Sequence, residues 1–161
     1  MKDIILGVDP GTRITGFGLV RQGSSLEVLD FGCIRPDVKM KLSDRLHIIY
    51  QGINSIILKH QPTSLTVETQ FVQKNIQSAM KLGMVRGIIY ICAKNHGLKV
   101  YEYAPTKIKL AVTGSGSAEK YQVQTMVKNI LSLDCEPEPE DAADALACCI
   151  CHAHQLFHEE I

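Results

Sequence analysis

Residues 4–20 read IILGVDPGTRITGFGLV. The run from Ile4 to Asp9 is short and apolar and stops at Pro10-Gly11, a turn signal that predicts a buried strand. A second apolar run, Ile14 to Val20, follows at once. Gly16 and Gly18 inside it point to strong twist or to another backbone coming close. So short a connection predicts an antiparallel pair, and LEVLDFGCI over 26–34 extends it to a three-strand meander.

Outward from there the period changes. Leu42, Leu46, Ile49, Ile53, Ile56 and Ile57 recur at helical spacing, with Ser43 as the expected N-cap and Pro62 beyond the end. SLTVET at 64–69 is a fourth strand with Glu68 near its C-terminal end. Residues 75–96 carry Ile76, Met80, Met84, Ile88 and Ile91 as a long helix closed by Gly97, and LKVYEY at 98–103 is a fifth strand. A short helix over 105–112, a Gly-Ser loop over 113–117 and a helix over 119–131 follow. Two prolines forbid a helix interior in 134–139, and a last helix spans about 140–157. This order predicts an α/β chain, a five-stranded mixed sheet with helices on both faces, in one domain over residues 1–161.

At 161 residues and 45% hydrophobic, the chain is long and apolar enough to fold around one core, which excludes a disordered class. No apolar run approaches the roughly 20 residues of a bilayer span, and Asp3 and Asp9 interrupt the N-terminal run. A cytoplasmic chain without a membrane partner is expected. The six cysteines lack a spaced disulfide framework, and reduced thiols fit them better.

Net charge is zero, which by itself speaks against a polyanionic partner. The distribution speaks for one. Residues 72–128 hold 9 basic and 2 acidic side chains, whereas 129–161 hold 8 acidic side chains and no Lys or Arg. A basic middle suits phosphates, and an acidic tail suits a cation; a solvated surface with clustered charge is the plainer alternative.

Four carboxylates occupy suggestive places. Asp9 and Glu68 end strands, and Asp141 and Asp144 lie three apart on one helix face. If strands one and four are neighbours, the acids meet at one sheet edge, where mutual repulsion calls for a cation. Hard oxygen ligands suit Mg²⁺ or Mn²⁺ rather than Zn²⁺. Three of the acids also have a plainer reading: Asp9 as a turn former, Glu68 as a solvent-facing strand end, Asp141 as a helix N-terminal acid; Asp144, among the small apolar neighbours of AADALA, is less easily dismissed. Lys107, Lys109 and Lys120 could meet phosphate, Lys120 at a helix start after the Gly-Ser loop. Phe71 is either a stacking wedge against a base or a core anchor. The Cys148-Cys149-x-Cys151-His152-x-His154 cluster lacks a second ligand pair at zinc-finger spacing and reads as buried thiols.

The segments LGVDPGTRITGFG, VETQFVQKN, SAMKLGMVRG, VTGSGSAEKYQVQ and DAADALA resemble, in order and spacing, the RuvC family of bacterial Holliday-junction resolvases. The resemblance covers essentially the whole chain. It implies a ribonuclease-H-like fold, a homodimer, and Mg²⁺-dependent cleavage of two opposed strands at a four-way DNA junction, giving 5′-phosphate and 3′-hydroxyl ends. It places the family's acidic tetrad on Asp9, Glu68, Asp141 and Asp144, with Asp9 bridging two metal ions and Mn²⁺ an alternative to Mg²⁺. It places the DNA-contacting residues on Phe71, Lys109 and Lys120. It also implies work beside the RuvA–RuvB branch-migration complex. Actin-like ATPases share the fold and a similar first turn, but they bind ATP between two duplicated domains, and this chain has length for one.

Overall fold

The computed structural model describes residues 3–70 and 75–159. Strands β1 (Ile4–Asp9), β2 (Thr15–Gln22) and β3 (Leu26–Ile34) form the meander, followed by helix α1 (Leu42–His60). Then come β4 (Ser64–Glu68), α2 (Ile76–Asn95) and β5 (Lys99–Tyr103). Helices α3 (Pro105–Thr113), α4 (Lys120–Ile130) and α5 (Glu140–Glu159) complete the described chain. The sheet order is β3-β2-β1-β4-β5; the meander pairs are antiparallel, and β1–β4 and β4–β5 are parallel.

Strand alternation sorts side chains to two faces. Leu6, Val8, Leu19, Leu65 and Val67 meet Ile49, Ile53 and Ile57 of α1 and Val85 and Ile89 of α2 in one core cluster. Ile5 and Val20 point the other way, into a cluster with Ile108 of α3, Val127 of α4 and Leu146, Cys149 and Ile150 of α5. By the same alternation Gly7 and Asp9 lie on the α5 side.

That side is exceptionally close. A Cβ on Gly7 would stand 2.0 Å from the Ala145 carbonyl oxygen, and one on Gly16 would stand 2.1 Å from the Asp141 carbonyl oxygen. A Cβ on Gly18 would run into the Leu146 side chain at 2.6 Å. Glycines in β1 and β2 therefore admit the α5 backbone itself, and the small Ala142, Ala143, Ala145 and Ala147 of α5 are buried there. The Cys149 thiol donates to the carbonyls of Ile5 and Gly18 at 3.6 and 3.4 Å.

Helix starts differ locally from expectation. Lys41, not Ser43, is the N-cap of α1: helical geometry already begins at Leu42, and the amides of Asp44 and Arg45 both reach the Lys41 carbonyl. Ser43 falls inside the first turn, and no side chain caps the helix. Asn75 caps α2 by accepting from the Ser78 amide. Gly97, with φ of +74°, turns the chain after α2 as expected. The Gly-Ser loop is more ordered than its composition suggests, because the Thr113 hydroxyl donates to the Lys109 carbonyl and accepts from the Ser115 amide.

Candidate active site

Asp9 and Glu68 are the residues that follow Val8 and Val67, which pair across the parallel β1–β4 ladder. They therefore end side by side on adjacent strands, on the face that α5 covers. Asp9 pairs with Gly16 across β1–β2, and Asp141 rests its backbone on that glycine. The close approach at Gly16 thus sets the first turn of α5 over the end of β1, and Asp144 follows one turn on.

The four carboxylates feel one another. Asp9 is pushed from 3.8 up to about 7, first by burial and then by the negative charges of Asp144, Asp141 and Glu68. Burial and then Asp144 raise Glu68, against the opposing pull of Lys109, Lys120 and Arg86. Burial also raises Asp144, with Lys120 opposing. Of the four, only Asp144 has an ion pair among the described residues: Lys120 Nζ lies 3.2 Å from Asp144 Oδ2 and 3.1 Å from Glu140 Oε2. Burial opposes the charge on Lys120, but its hydrogen bonds to Glu140 and Asp144 outweigh it and raise the ammonium.

The structure brings Asp9, Glu68, Asp141, Asp144, Lys109 and Lys120 into one electrostatic neighbourhood. Lys107 stands somewhat aside, with its ammonium 5.1 Å from the centre of the Tyr103 ring. Phe71 lies outside the described residues. The start of α4 is less open to phosphate than its sequence suggests, since Glu119 and Gln122 close a capping box on its amides.

Three further groups join the site without a sequence signal. Glu140 shares Lys120 with Asp144 and accepts from Gln124. Arg86 donates to the Glu68 main-chain carbonyl. The exposed Arg35 lies within electrostatic reach of Asp141, with Nε 3.1 Å from the Cys33 sulfur. The cysteine-rich stretch is interior. Cys148, Cys149 and Cys151 are buried, and His152 Nδ1 lies 2.6 Å from the Tyr103 hydroxyl.

The donor set is all hard oxygen, and the negative charges of Asp144, Asp141 and Glu68 add to burial in raising Asp9, an excess that a divalent cation would relieve. Lys120 already answers part of that excess. Among the described residues no three His, Cys, Asp or Glu side chains form a ready-made metal cage, so the acids share a neighbourhood rather than a closed coordination sphere. The chemistry of the donors fits Mg²⁺ or Mn²⁺ and is wrong for a thiophilic metal.

Known proteins show the same arrangement of chain. A family model described as crossover junction endodeoxyribonuclease RuvC matches residues 5–152. The RuvC of Protochlamydia amoebophila (strain UWE25) is 60% identical over 151 residues, covering 93% of this chain and 90% of its own. That of Pasteurella multocida (strain Pm70) is 52% identical over 156 residues, covering 96% and 81%. The solved structure of Thermus thermophilus RuvC in complex with Holliday junction substrate superposes with a TM-score of 0.92 at 30% identity, covering 98% of this chain and 96% of that one. A ribonuclease-H-like sheet, a family match over nearly all of its length and relatives at this identity make the chain a member of the RuvC family of crossover junction endodeoxyribonucleases.

Proposed function

We propose that this protein resolves four-way DNA junctions in recombination and repair by two symmetric, Mg²⁺-dependent strand cuts that leave ligatable 5′-phosphate and 3′-hydroxyl ends. One observation supports it above the others: four carboxylates from β1, β4 and α5 share one neighbourhood in which burial and mutual charge drive Asp9 up to about 7.

Asp9, Glu68, Asp141 and Asp144 would hold the metal, two ions per site, with Mn²⁺ an effective substitute. Bound there, the metal neutralises the acids and acts as a Lewis acid on the phosphoryl oxygens. The rest falls to the chain. Lys120, which already bridges Asp144 and Glu140, is placed to meet a phosphate oxygen entering beside the acids. Lys109 lies within electrostatic reach of Glu68 and would add a second positive charge beside the acids. Cys148 on α5, buried and within electrostatic reach of Asp9 and Glu68, would help to keep bulk water from beneath the carboxylates. Phe71, three residues beyond Glu68, would stack on a base near the cut. Phosphate contacts make binding fall steeply with salt.

A junction needing two opposed cuts suits a two-fold dimer. The exposed stripe Ile76, Met80, Met84 and Ile91 on α2 supports that helix as the dimer face. We place the enzyme in the cytoplasm beside the RuvA–RuvB branch-migration complex on the strength of its family. The six free cysteines agree with a reducing compartment, and no helix among the described residues is long and apolar enough to cross a membrane.

The test uses an end-labelled synthetic four-way junction with Mg²⁺ or EDTA, beside linear duplex and RNA–DNA hybrid, with Asp9→Asn in parallel. Paired, ligatable nicks should appear on the junction alone and with metal alone, and Asp9→Asn should lose at least about 100-fold in rate. Tight junction binding without nicks under every metal would make this a binding module. Cutting of the hybrid instead would keep the site and discard the substrate.

A further inference from the structure

Arg86 lies on α2, on the opposite side of the sheet from α5, yet it contacts the catalytic strand. Its Nη1 donates to the main-chain carbonyl of Glu68 at 2.6 Å. Its Nη2 donates to the Tyr90 hydroxyl and the Glu102 carboxylate, each at 2.5 Å. The Tyr90 hydroxyl also donates to Glu102, which closes a triangle around the guanidinium. The Arg86 side chain is 15% exposed, whereas Glu102 is 46% exposed, so the clamp is anchored inside and reachable from outside.

Glu68 is the last residue of β4, where ladder hydrogen bonds run out. The next peptide is held on one side by the Thr69 amide donating to the Tyr103 carbonyl at 2.8 Å. Arg86 holds the other side. Together they fix the peptide plane after Glu68, and through it the direction of the Glu68 side chain from a strand end that would otherwise fray. A guanidinium suits this task because its rigid fork satisfies a carbonyl and a carboxylate at once, which a lysine ammonium on a flexible stem does not.

We propose that Arg86, held in turn by Tyr90 and Glu102, is a positioning residue that sets the Glu68 carboxylate for metal binding. This rests on Glu68 being a metal ligand, as proposed above. Groups behind a metal ligand tune affinity by holding it in place, and their loss typically costs about 10- to 100-fold.

The experiment measures Mn²⁺ binding to the full chain by electron paramagnetic resonance, and the Mn²⁺ dependence of junction cleavage. The proteins are the parent, Arg86→Met, Arg86→Lys, Glu102→Gln and Glu68→Gln, each checked by circular dichroism. Arg86→Met should weaken Mn²⁺ binding about tenfold and raise the half-saturating Mn²⁺ by a similar factor, with most of the rate recovered at saturating metal. Arg86→Lys should not rescue fully, and Glu102→Gln should shift binding by about threefold in the same direction. A lower melting temperature with unchanged Mn²⁺ affinity in both Arg86→Met and Glu102→Gln would reduce the clamp to structure alone and overturn the proposal. If Arg86→Met does not fold, Glu102→Gln decides by the same readout. Unchanged Mn²⁺ binding in Glu68→Gln would remove Glu68 as a ligand, and the proposal with it, which separates that failure from a failure of the clamp.

Discussion

The sheet-facing side of α5 and the outward side of α2 are built on opposite principles. On the α5 face, glycines of β1 and β2 meet the helix backbone so closely that no methyl group fits. On the outward side of α2, away from the sheet, Gly83 and Gly87 have nothing within 4 Å of where a Cβ would stand, and Ile76, Met80, Met84 and Ile91 lie exposed. The same residue type thus serves contact on one face and leaves space on the other. Precision is concentrated where carboxylates must be placed against strand ends; unspent apolar surface is concentrated where another chain could bind.

The largest expected effect is on the close face. In EDTA the folded chain holds the Asp9 proton up to about pH 7, whereas an unfolded aspartate releases it near 3.8. The contribution of Asp9 to stability should therefore be greatest below pH 4, fall as pH rises through that window, and level off above 7. The shift corresponds to at most about 4 kcal/mol, with Glu68 and Asp144 adding in the same direction. Asp9→Asn should flatten most of this slope in urea titrations across pH 4–8, and Mg²⁺ should restore parental stability at pH 7.5. A parental slope that survives Asp9→Asn would show that the site is not the source of the strain.

Next comes a matched pair of glycine substitutions. Gly16→Ala forces a methyl to 2.1 Å from the Asp141 carbonyl, so α5 must shift; it should cost about 3 kcal/mol and displace Asp141 from the site. Gly83→Ala meets open space in a helix and should stabilise the protomer by about 1 kcal/mol. Denaturant unfolding of both variants at low protein concentration measures the difference, and equal signs would erase the contrast between the faces. The smallest effect on protomer stability is expected from Met80→Glu with Met84→Glu, within about 0.5 kcal/mol, since both side chains are exposed. On the dimer proposed above, the same double variant should sediment as a monomer under conditions where the parent sediments as a dimer.

Most of this fold was legible in the sequence, because its signals are periodic. The apolar run of β1, the strand over SLTVET and the helical spacing in α1 and α2 all survive into the structure. Even the role of Gly16 and Gly18 as places of close approach was visible, although what approaches them was not. The start of α1 was misread because Ser43 and Lys41 compete as caps, and composition favours a serine that backbone geometry leaves inside the first turn. At the site, strand adjacency and a three-residue helical spacing suffice to bring the four acids together. The supporting contacts left no trace. Arg86 reaches a main-chain carbonyl 18 positions away, and Lys120 bridges to Glu140 across a proline-bearing loop. A side chain meeting a backbone oxygen has no period, and an ion pair between distant helices depends on a packing angle that one sequence does not print.

Asp9 and Glu68 come from strands in the first half of the sequence, and Asp141 and Asp144 come from α5, the helix that the glycines of β1 and β2 await. Synthesis runs from the N-terminus, so the sheet emerges from the ribosome before the helix that completes the carboxylate set. A nascent or proteolytically shortened chain lacking α5 holds two of the four acids and leaves its glycine-lined surface uncovered. On the site proposed above, cleavage therefore waits for the last helix to fold, since an unfinished chain carries no complete carboxylate set.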